Sequence, residues 1–231
     1  MVFGKCSRMR RFAPILDLAA GHHGGRDAVL NQSVNSHAVK KLSAVPDDRL
    51  LSTMTQCVFN AGFNWKVIEA KWPGFEAAFE GFDPGKLAFF GDEMLGKLVS
   101  DERIVRNGQK IKATLENAAF VSEIAREHGS FGKFLDSWPA DDQTGLMDFL
   151  NKKGSRLGGA TGQYFLRFAG WDAWITSSHV CAALKREGVL DNPEARSKRD
   201  LQAVQNAMNG WHEDSGLPRA QVSRLLALSI G

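Results

Sequence analysis

Residues 154–174 read GSRLGGATGQYFLRFAGWDAW, a basic glycine-rich turn that runs directly into an aromatic segment. The glycines in and beside this turn are Gly154, Gly158, Gly159 and Gly162. A backbone so free of side chains can direct several amide N–H groups at one anion. The helix predicted at about 160–169 would offer its positive N-terminal end to the same anion. The stretch therefore predicts either a phosphate contact that ignores base sequence or a purely structural corner between two helices.

Apolar residues recur at helical spacing along most of the chain. We expect Asp47 and Asp48 to cap a helix that ends near residue 59, and Asn64 and Asn107 to cap helices at about 65–71 and 109–127. Further helices are predicted at about 92–100, 130–138, 143–153, 179–187, 195–211 and 218–229, with short ones beginning at Pro73 and Pro84. Alternating strand patterns are nearly absent, so the sequence predicts an all-α fold.

Composition places the chain among ordinary globular proteins. Its 231 residues are 43% apolar and 24% charged, enough for one large domain or two lobes around a cleft. The formal charge of +3 means that nucleic-acid binding would require a local basic patch. Three widely spaced cysteines, Cys6, Cys57 and Cys181, argue against a disulfide framework. No apolar run is long enough for a membrane span and the start lacks a signal-peptide core, so we expect a cytoplasmic protein.

Three further stretches accompany the glycine turn in chain order. They are NAGFNW at 60–65, FEAAFEGFDPGKLA at 75–88 and IVRNGQKIKATLENA at 104–118. Together with the turn they resemble the 3-methyladenine DNA glycosylase I family, a branch of the helix–hairpin–helix DNA glycosylase superfamily, over roughly residues 50–190. The resemblance implies an all-α, two-lobed helix–hairpin–helix DNA glycosylase fold.

The same resemblance implies a domain organisation. Residues 47–190 would form the glycosylase core with the hairpin, and residues 191–231 would add helices that complete the second lobe. Residues 1–46 would be an N-terminal helical arm and irregular segment packing on that lobe. Within it, residues 20–42 are rich in Gly, His, Asn and Ser and are predicted to be irregular, either a loop over the site or an arm on the core. The lobes would flank a cleft with Trp65 on one side and the hairpin on the other.

The activity that the resemblance implies is base excision from DNA. A monofunctional DNA glycosylase would hydrolyse the N-glycosidic bond of an alkylated purine, such as 3-methyladenine, flipped out of the duplex. Thr161, Gly162 and Gln163 stand where a bifunctional enzyme has its lyase lysine. The implied partner is double-stranded DNA with a damaged base, bound by a monomer without a cofactor. Two alternatives stay open: a non-catalytic relative that recognises damaged or distorted DNA, and a helical interaction protein with no role on DNA.

A pocket for the extruded base is implied at the end of the first motif. Trp65 corresponds to the stacking tryptophan of the family, and an indole face suits a cationic alkylated purine. Cys57, Asn60 and Asn64 complete the predicted base pocket. Trp65 could equally be a core aromatic, and both asparagines could cap the Gly62 turn. Tyr164 is expected to pack with its hydroxyl satisfied.

Residues of the hairpin are implied to hold the DNA phosphates. This predicted DNA-binding set comprises Lys152, Lys153, Arg156, Gly158, Gly159 and Thr161. Arg106 and Lys110 are further candidates, although the Arg-Asn…Lys motif that contains them could instead serve helix capping. For each of the charged residues the alternative is a solvated helix face.

The chain also lacks several functional side chains that the family or its superfamily carries. Cys57 occupies the position of the pocket glutamate, which puts recognition of 3-methyladenine itself in doubt. The zinc ligands of the family are missing, so we predict no metal site. Where the superfamily places a catalytic aspartate, residues 175–180 contain no carboxylate and Asp172 lies a little earlier. His179 remains the catalytic candidate, as a group that orients water, with a structural histidine as the alternative.

Overall fold

Every regular element of the described chain, residues 11–34 and 40–231 of a computed structural model, is a helix and none is a strand. The α-helices of this part of the chain are α1 (Ala13–His22), α2 (Arg26–Ser33), α3 (Asp47–Asn60), α4 (Trp65–Ala78), α5 (Pro84–Leu87), α6 (Asp92–Ser100), α7 (Gly108–His128), α8 (Phe131–Ser137), α9 (Gln143–Lys153), α10 (Ala160–Ala169), α11 (Ser178–Arg186), α12 (Lys198–Ser215) and α13 (Arg219–Leu228). Single 3₁₀ turns occupy Leu42–Ala44 and Glu80–Phe82. The all-α prediction is confirmed.

The chain folds into two compact units. The larger unit comprises residues from 39 to 171, and the smaller one combines the described residues before 39 with residues 172–231. The sequence places the corresponding boundaries at 46/47 and 190/191. The unit that carries the hairpin is therefore shorter at its end than predicted, since α11 belongs to the smaller unit.

The larger unit is organised around α3 and α7. The helix α3 packs against α4, α7, α8 and α10, and α7 packs in addition against α5 and α6. Leu51, Met54 and Phe59 of α3 are fully buried, as expected for a helix with neighbours on several sides. This arrangement places the C-terminal end of α3 beside the hairpin helix α10.

Aromatic residues of α4 and of the turn after it form a stack. Trp72 lies parallel to Phe75 and Phe82, with ring centroids 5.0 and 5.4 Å away. Phe79 continues the stack to Phe82 at 5.4 Å. Phe59 of α3 meets Phe75 edge-on, with ring centroids 4.7 Å apart. Burial of several rings of this size dominates the local energetics, so the cluster holds α4 in place on α3.

The prediction of a new helix at Pro73 is wrong. Pro73 lies inside α4, which continues without a break to Ala78. A proline within a helix lacks one backbone hydrogen bond, but here the aromatic stack and the close approach of Gly74 to the backbone of Arg103 compensate. A Cβ added at Gly74 would lie 2.4 Å from the Arg103 carbonyl oxygen.

Capping by Asp47 and Asp48 is also wrong. Pro46 occupies the N-cap position of α3 without a side-chain bond. The Asp47 carboxylate instead accepts the N–H of Phe131 at 2.9 Å, so it ties α3 to α8. Asp48 accepts from the N–H of Arg49 next to it.

The smaller unit is built on α13, which packs against α1, α2, α11 and α12. Its core contains the fully buried Trp174 and Trp211. The Asp172 carboxylate accepts the N–H groups of Arg219 and Ala220, at 3.1 and 2.8 Å, and so caps the start of α13. Asp172 thus has a structural role at a helix terminus.

Residues 20–42 are more regular than predicted. The helix α1 extends to His22, and α2 fills Arg26–Ser33, while residues 35–39 lie outside the described chain. Gly24 and Gly25 have φ angles of +80° and +105°, which allow the sharp corner between the two helices. Val29 is fully buried and anchors α2. Tertiary packing therefore stabilises a helix that the polar composition of residues 20–42 does not predict.

Candidate functional site

The glycine turn forms a helix–hairpin–helix with the helices on either side of it. The helix α9 ends at Lys153, and α10 begins at Ala160 after a loop of residues 154–159. Gly159 has a φ of +57°, and a Cβ at Gly162 would lie 2.4 Å from the carbonyl oxygen of Leu157. Glycine is therefore required at both positions, in one case for the backbone angle and in the other for the close approach of the chain.

A buried asparagine of α7 holds the loop. The Oδ1 atom of Asn117 accepts the N–H of Ser155 at 2.7 Å, and its Nδ2 donates to the Ser155 carbonyl at 3.0 Å. Asn117 is fully buried. The sequence pattern gave no sign of this role, although Asn117 lies within the motif at 104–118. A buried amide that satisfies both polar groups of one loop residue fixes the hairpin on α7.

The predicted phosphate-binding side chains lie on the outside of the hairpin. Lys152, Lys153 and Arg156 are exposed; Lys152 pairs with Asp148 at 2.5 Å, and the guanidinium of Arg156 bonds the Gln109 side chain at 2.5 Å. The Gly159 N-cap gives α10 no side-chain hydrogen bond. In this part of the chain no side chain therefore caps the first N–H groups of α10, which have no partner within the helix.

A cavity of about 200 Å³ lies within the larger unit, between the end of α3, the turn after it and the first turns of α10. Its lining residues are Cys57, Asn60, Ala61, Gly62, Trp65, Ala160, Thr161, Tyr164 and Phe168. The structure thus brings four predicted site residues together in one pocket, since Cys57, Asn60 and Trp65 face Thr161 of the hairpin helix. The expected placement of Trp65 and the hairpin on different lobes is wrong, because both belong to the same unit.

Aromatic rings form one wall of the pocket. Trp65 is 44% exposed and meets Tyr164 and Phe168 edge-on, with ring centroids 5.4 and 5.8 Å away. An exposed tryptophan at a cavity mouth differs from a core aromatic, which would be buried. Phe168 was not among the predicted pocket residues, although its position one helical turn after Tyr164 places it on the same face of α10.

The polar groups of the pocket are few. Burial raises the pKa of the Cys57 thiol to about 12, so this side chain stays neutral and unreactive at physiological pH. Asn60 is 7% exposed, and its Oδ1 atom has no hydrogen-bond partner among the described residues. Asn64 lies outside the lining: its Oδ1 accepts the N–H of Lys66 at 3.0 Å and caps α4.

Lys110 is a buried positioning group rather than a surface cation. Its Nζ donates to the carbonyls of Phe59 and Ala61, at 3.0 and 2.5 Å, and lies 4.4 Å from the centre of the Phe63 ring. With 6% exposure it cannot reach a phosphate, so its candidacy for DNA contact is wrong. The ammonium satisfies carbonyls at the C-terminal end of α3 and so holds the turn that forms the pocket.

The other candidates lie elsewhere. Arg106 is exposed and pairs with Glu102 at 3.8 Å. His179 is exposed in the first turn of α11, in the smaller unit, and does not line the pocket. Among the described residues, those that line the cavity include no Asp, Glu or His.

Two further properties concern the described chain as a whole. Within residues 11–34 and 40–231, no group of three or more His, Cys, Asp or Glu side chains is arranged to hold a metal ion. Cys6 lies outside the described residues. None of the described helices is long and apolar enough to cross a membrane.

Residues 42–152 match the model of the methyladenine glycosylase family. A curated relative, DNA-3-methyladenine glycosylase 1 of Escherichia coli (strain K12), is 32% identical over 78 residues. That match covers 34% of this chain and 42% of the relative, so the chain spans less than half of the length of the protein it matches.

Solved structures agree in fold. 3-methyladenine DNA glycosylase I from Staphylococcus aureus is 24% identical with a TM-score of 0.51, covering 68% of this chain and 92% of its own. The Methanocaldococcus jannaschii 8-oxoguanine glycosylase/lyase, solved with 15mer DNA containing 8-oxoguanine, has a TM-score of 0.54 at 13% identity. The match covers 92% of this chain and 95% of the glycosylase/lyase chain. The architecture is therefore the helix–hairpin–helix DNA glycosylase fold. The match of residues 42–152 to the methyladenine glycosylase family, which spans just under half of the chain, agrees with this fold.

Proposed function

We propose that the protein is a monofunctional DNA N-glycosylase that hydrolyses the N-glycosidic bond of an alkylated purine, of the 3-methyladenine type, flipped out of duplex DNA. One observation carries this proposal. The helix α10 begins directly after the exposed Gly159 and contributes Thr161, Tyr164 and Phe168 to the pocket. A single helix therefore joins the element suited to a DNA phosphate to the pocket suited to the base.

The hairpin supplies the contact with the DNA backbone. Lys152, Lys153 and Arg156 provide charge, while the backbone at Gly158, Gly159 and Thr161 provides N–H donors at the positive end of α10. Such contacts do not depend on base sequence. They make the affinity fall with rising salt concentration, because each neutralised phosphate releases counterions.

The pocket supplies stacking and shape. An extruded base would lie against Trp65, with Tyr164 and Phe168 supporting that ring edge-on. Aromatic stacking contributes about 1–3 kcal/mol per base. Asn60 supplies a polar group toward the edge of the base.

Cleavage of the N-glycosidic bond depends more on the properties of the substrate base than on a strong acid or base in the protein. A cationic alkylated purine is already a good leaving group: the bond from C1′ to nitrogen breaks, its electron pair neutralises the base, and water adds to C1′. Stacking, orientation and exclusion of bulk water can accelerate such a step. Thr161, Gly162 and Gln163 at the start of α10 provide no amine for a Schiff base, which supports a monofunctional enzyme.

The test is release of free bases from methylated DNA, separated by chromatography. We expect the purified protein to release 3-methyladenine or another alkylpurine. Trp65→Ala should release it about 10- to 100-fold more slowly, and Gly158→Asp should lose DNA binding. The last change would bring a Cβ within 2.3 Å of the Asn151 side chain and a carboxylate toward the phosphates. The proposal is contradicted if the wild-type protein binds DNA and releases no base.

A second candidate function is that of a non-catalytic relative that recognises damaged or distorted DNA. The observation that favours it is the absence of Asp, Glu and His from the pocket lining in the described part of the chain. This candidate predicts tighter binding to duplexes with a stable abasic analogue than to intact duplexes, without base release. The two measurements together distinguish the candidates.

A further inference from the structure

A phenylalanine ring projects into solvent from the turn after α5. Phe89 is 89% exposed, more than any other large apolar side chain in the described part of the chain. Its N–H donates to the carbonyl of Lys86 at 3.1 Å, and the next N–H along the chain donates to that of Leu87 at 3.1 Å. Leu87 is fully buried and anchors this turn. The exposed ring is therefore presented outward by a hydrogen-bonded turn that is fixed to the core.

A groove of about 270 Å³ lies beside this ring, between the turn after α5, the start of α6 and one face of α7. The residues on either side of Phe89 in the chain, Ala88 and Phe90, both line the groove. Leu95 of α6 and Leu115 of α7 also line it and are only half-buried. An apolar cavity of about 150 Å³ is large enough to bind benzene. The groove can therefore accept an aromatic ring, although the Phe89 ring of its own chain stays in solvent.

The groove also carries charges of both signs. Asp92, in the first turn of α6, lines one wall, and Lys112 of α7 lines the other. The side chain of Lys112 is 66% exposed, and its Nζ lies 3.8 Å from the Glu116 carboxylate, which is a loose contact. A surface that combines an apolar groove, an exposed ring and a charged edge has the anatomy of a protein–protein interface.

This surface lies on the side of α7 that faces away from the proposed DNA site. The residues of α7 that line the groove run from Lys112 to Ala119 and share one face of the helix. Lys110 and Asn117, which hold the pocket turn and the hairpin loop, lie about half a turn around the same helix from that face. A protein seated in the groove would therefore leave the pocket and the hairpin free.

We infer that a second copy of this chain covers the groove, with Phe89 of each copy inserted into the groove of the other. A two-fold dimer brings the same patch of both copies together, so this patch must be complementary to itself. Here the projecting ring and the groove that can receive it lie side by side, and one axis can satisfy both at once. The association therefore closes at a dimer and does not continue into a filament.

The charges of the patch are complementary to themselves in the same way. Asp92 and Lys112 lie on opposite walls of the groove that the ring enters, so the two-fold arrangement directs Asp92 of each copy toward Lys112 of the other. Opposite charges across an interface fix its orientation and raise the rate of association. The dimer would take the place of the monomer expected from the sequence. It concerns the assembly of the chain and does not depend on base excision.

The first experiment is sedimentation equilibrium over a wide range of protein concentrations. We expect the wild-type protein to dimerise reversibly, and Phe89→Asp to raise the dimer dissociation constant by at least about 30-fold, as expected for an aromatic residue that anchors an interface. The control is Val34→Asp, since Val34 is 63% exposed and lies outside the larger unit. This control makes the same change in charge and should leave the dissociation constant within about twofold of the wild type.

Two results of this experiment overturn the inference. One is a wild-type protein that stays monomeric at every concentration, which would leave the groove to a protein of another kind. The other is a dimer that Phe89→Asp does not weaken. Because the Phe89 ring makes little contact with its own chain, thermal unfolding of Phe89→Asp under dilute conditions should match that of the wild type.

The second experiment tests the pairing of charges across the axis. Asp92→Lys and Lys112→Asp each place like charges opposite one another, so we expect each variant alone to dimerise about tenfold more weakly. A mixture of the two variants should recover association between them, because every contact across the axis then joins opposite charges. Damage to the fold of either variant could not be repaired by mixing. A mixture that associates no better than the separate variants overturns the two-fold arrangement.

Base release separates this inference from the proposed function. Phe89 lies outside the pocket and the hairpin, so Phe89→Asp should release alkylpurines at the wild-type rate. A monomeric wild-type protein that releases bases contradicts the dimer and leaves the glycosylase proposal standing. A dimer sensitive to Phe89→Asp that binds DNA and releases no base has the opposite meaning.

Discussion

Asn117 and Ser155 exchange two hydrogen bonds and thereby fasten the hairpin loop to α7. Lys110 lies seven residues earlier on the same helix, about two turns away and on the same face. It holds the carbonyls of Phe59 and Ala61 at the pocket turn. One rigid helix therefore sets the distance between the element proposed to hold DNA and the pocket proposed to hold the base.

The first prediction concerns Asn117→Ala. This change leaves the partly buried N–H and carbonyl of Ser155 without their side-chain partner, at a cost of about 1–3 kcal/mol. We expect chemical denaturation to show this loss, and DNA affinity to fall because the loop is no longer held. Asn117→Asp keeps the acceptor for the Ser155 N–H and loses the donor, so its effect on DNA affinity should be intermediate. Unchanged stability in Asn117→Ala contradicts the role of this pair.

The second prediction concerns Gly162→Ala in the hairpin helix. Its Cβ would meet the Leu157 carbonyl oxygen at 2.4 Å, and backbone cannot move aside as a flexible side chain can. We expect a loss of at least about 2 kcal/mol in the free energy of unfolding, with weaker DNA binding. Gly96→Ala is the matched control, because a Cβ there meets nothing within 4 Å in α6. That control should gain about 0.5–1 kcal/mol.

The third prediction concerns the charges on the hairpin. Lys153→Glu and Arg156→Glu should weaken binding to duplex DNA of any sequence and reduce the salt slope by about one for each lost phosphate contact. The control is Lys133→Glu, since Lys133 lies beside Gly129 at the C-terminal end of α7 while Arg156 contacts Gln109 at its start. These ends are about 30 Å apart along the helix. Equal losses in hairpin and control variants would show that net charge alone governs binding.

The fourth prediction separates a pocket tryptophan from a core tryptophan. Trp65→Ala should cost less than about 1 kcal/mol of stability, because the side chain is nearly half exposed, yet slow base release by about 10- to 100-fold. Trp72→Ala should cost about 3 kcal/mol, because the ring is stacked on Phe75 and Phe82. Thermal unfolding and base release measured on both variants test the distinction. A large stability loss in Trp65→Ala would place that ring in the core instead.

The fifth prediction concerns alkaline pH. Burial raises the pKa of Cys57 to about 12, whereas an exposed cysteine titrates near 8.5. The unfolded chain therefore loses this proton first, and the stability of the fold decreases as the pH rises from about 8.5 toward 12. Between pH 8.5 and 9.5 the wild-type protein should lose about 1 kcal/mol more than Cys57→Ala. Parallel stability curves over this interval would show that the thiol is solvated.

Features that depend on a few neighbouring residues could be predicted from the sequence. The bounds of α9 and α10 agree with the predicted ranges, and Asn64 and Asn107 cap their helices as expected. A cap or a glycine turn is formed by groups within about three positions of one another, so its signal is local. The family motif at 60–65 is likewise a contiguous stretch, so the position of Trp65 could be recognised from its immediate neighbours.

Features that depend on partners far apart in the chain could not be predicted from the sequence. Pro73 stays inside α4 because an aromatic stack behind it compensates for the missing hydrogen bond. Asp47 caps α8 instead of its own helix because Phe131, far along the chain, lies beside it. In each case local propensity is a weak preference that packing outweighs.

The amino-acid sequence by itself determined the helical class, the position of the hairpin and the motif that supplies the pocket aromatic. Only the tertiary structure decided that Lys110 is buried behind the pocket and that Asn117 holds the loop. The partners of Lys110 lie 49 and 51 residues away and that of Asn117 lies 38 residues away. Spacing along one helix shows which residues share a face. The charges and hydrogen-bond partners that this face contacts belong to residues distant in the sequence, so only the fold determines them.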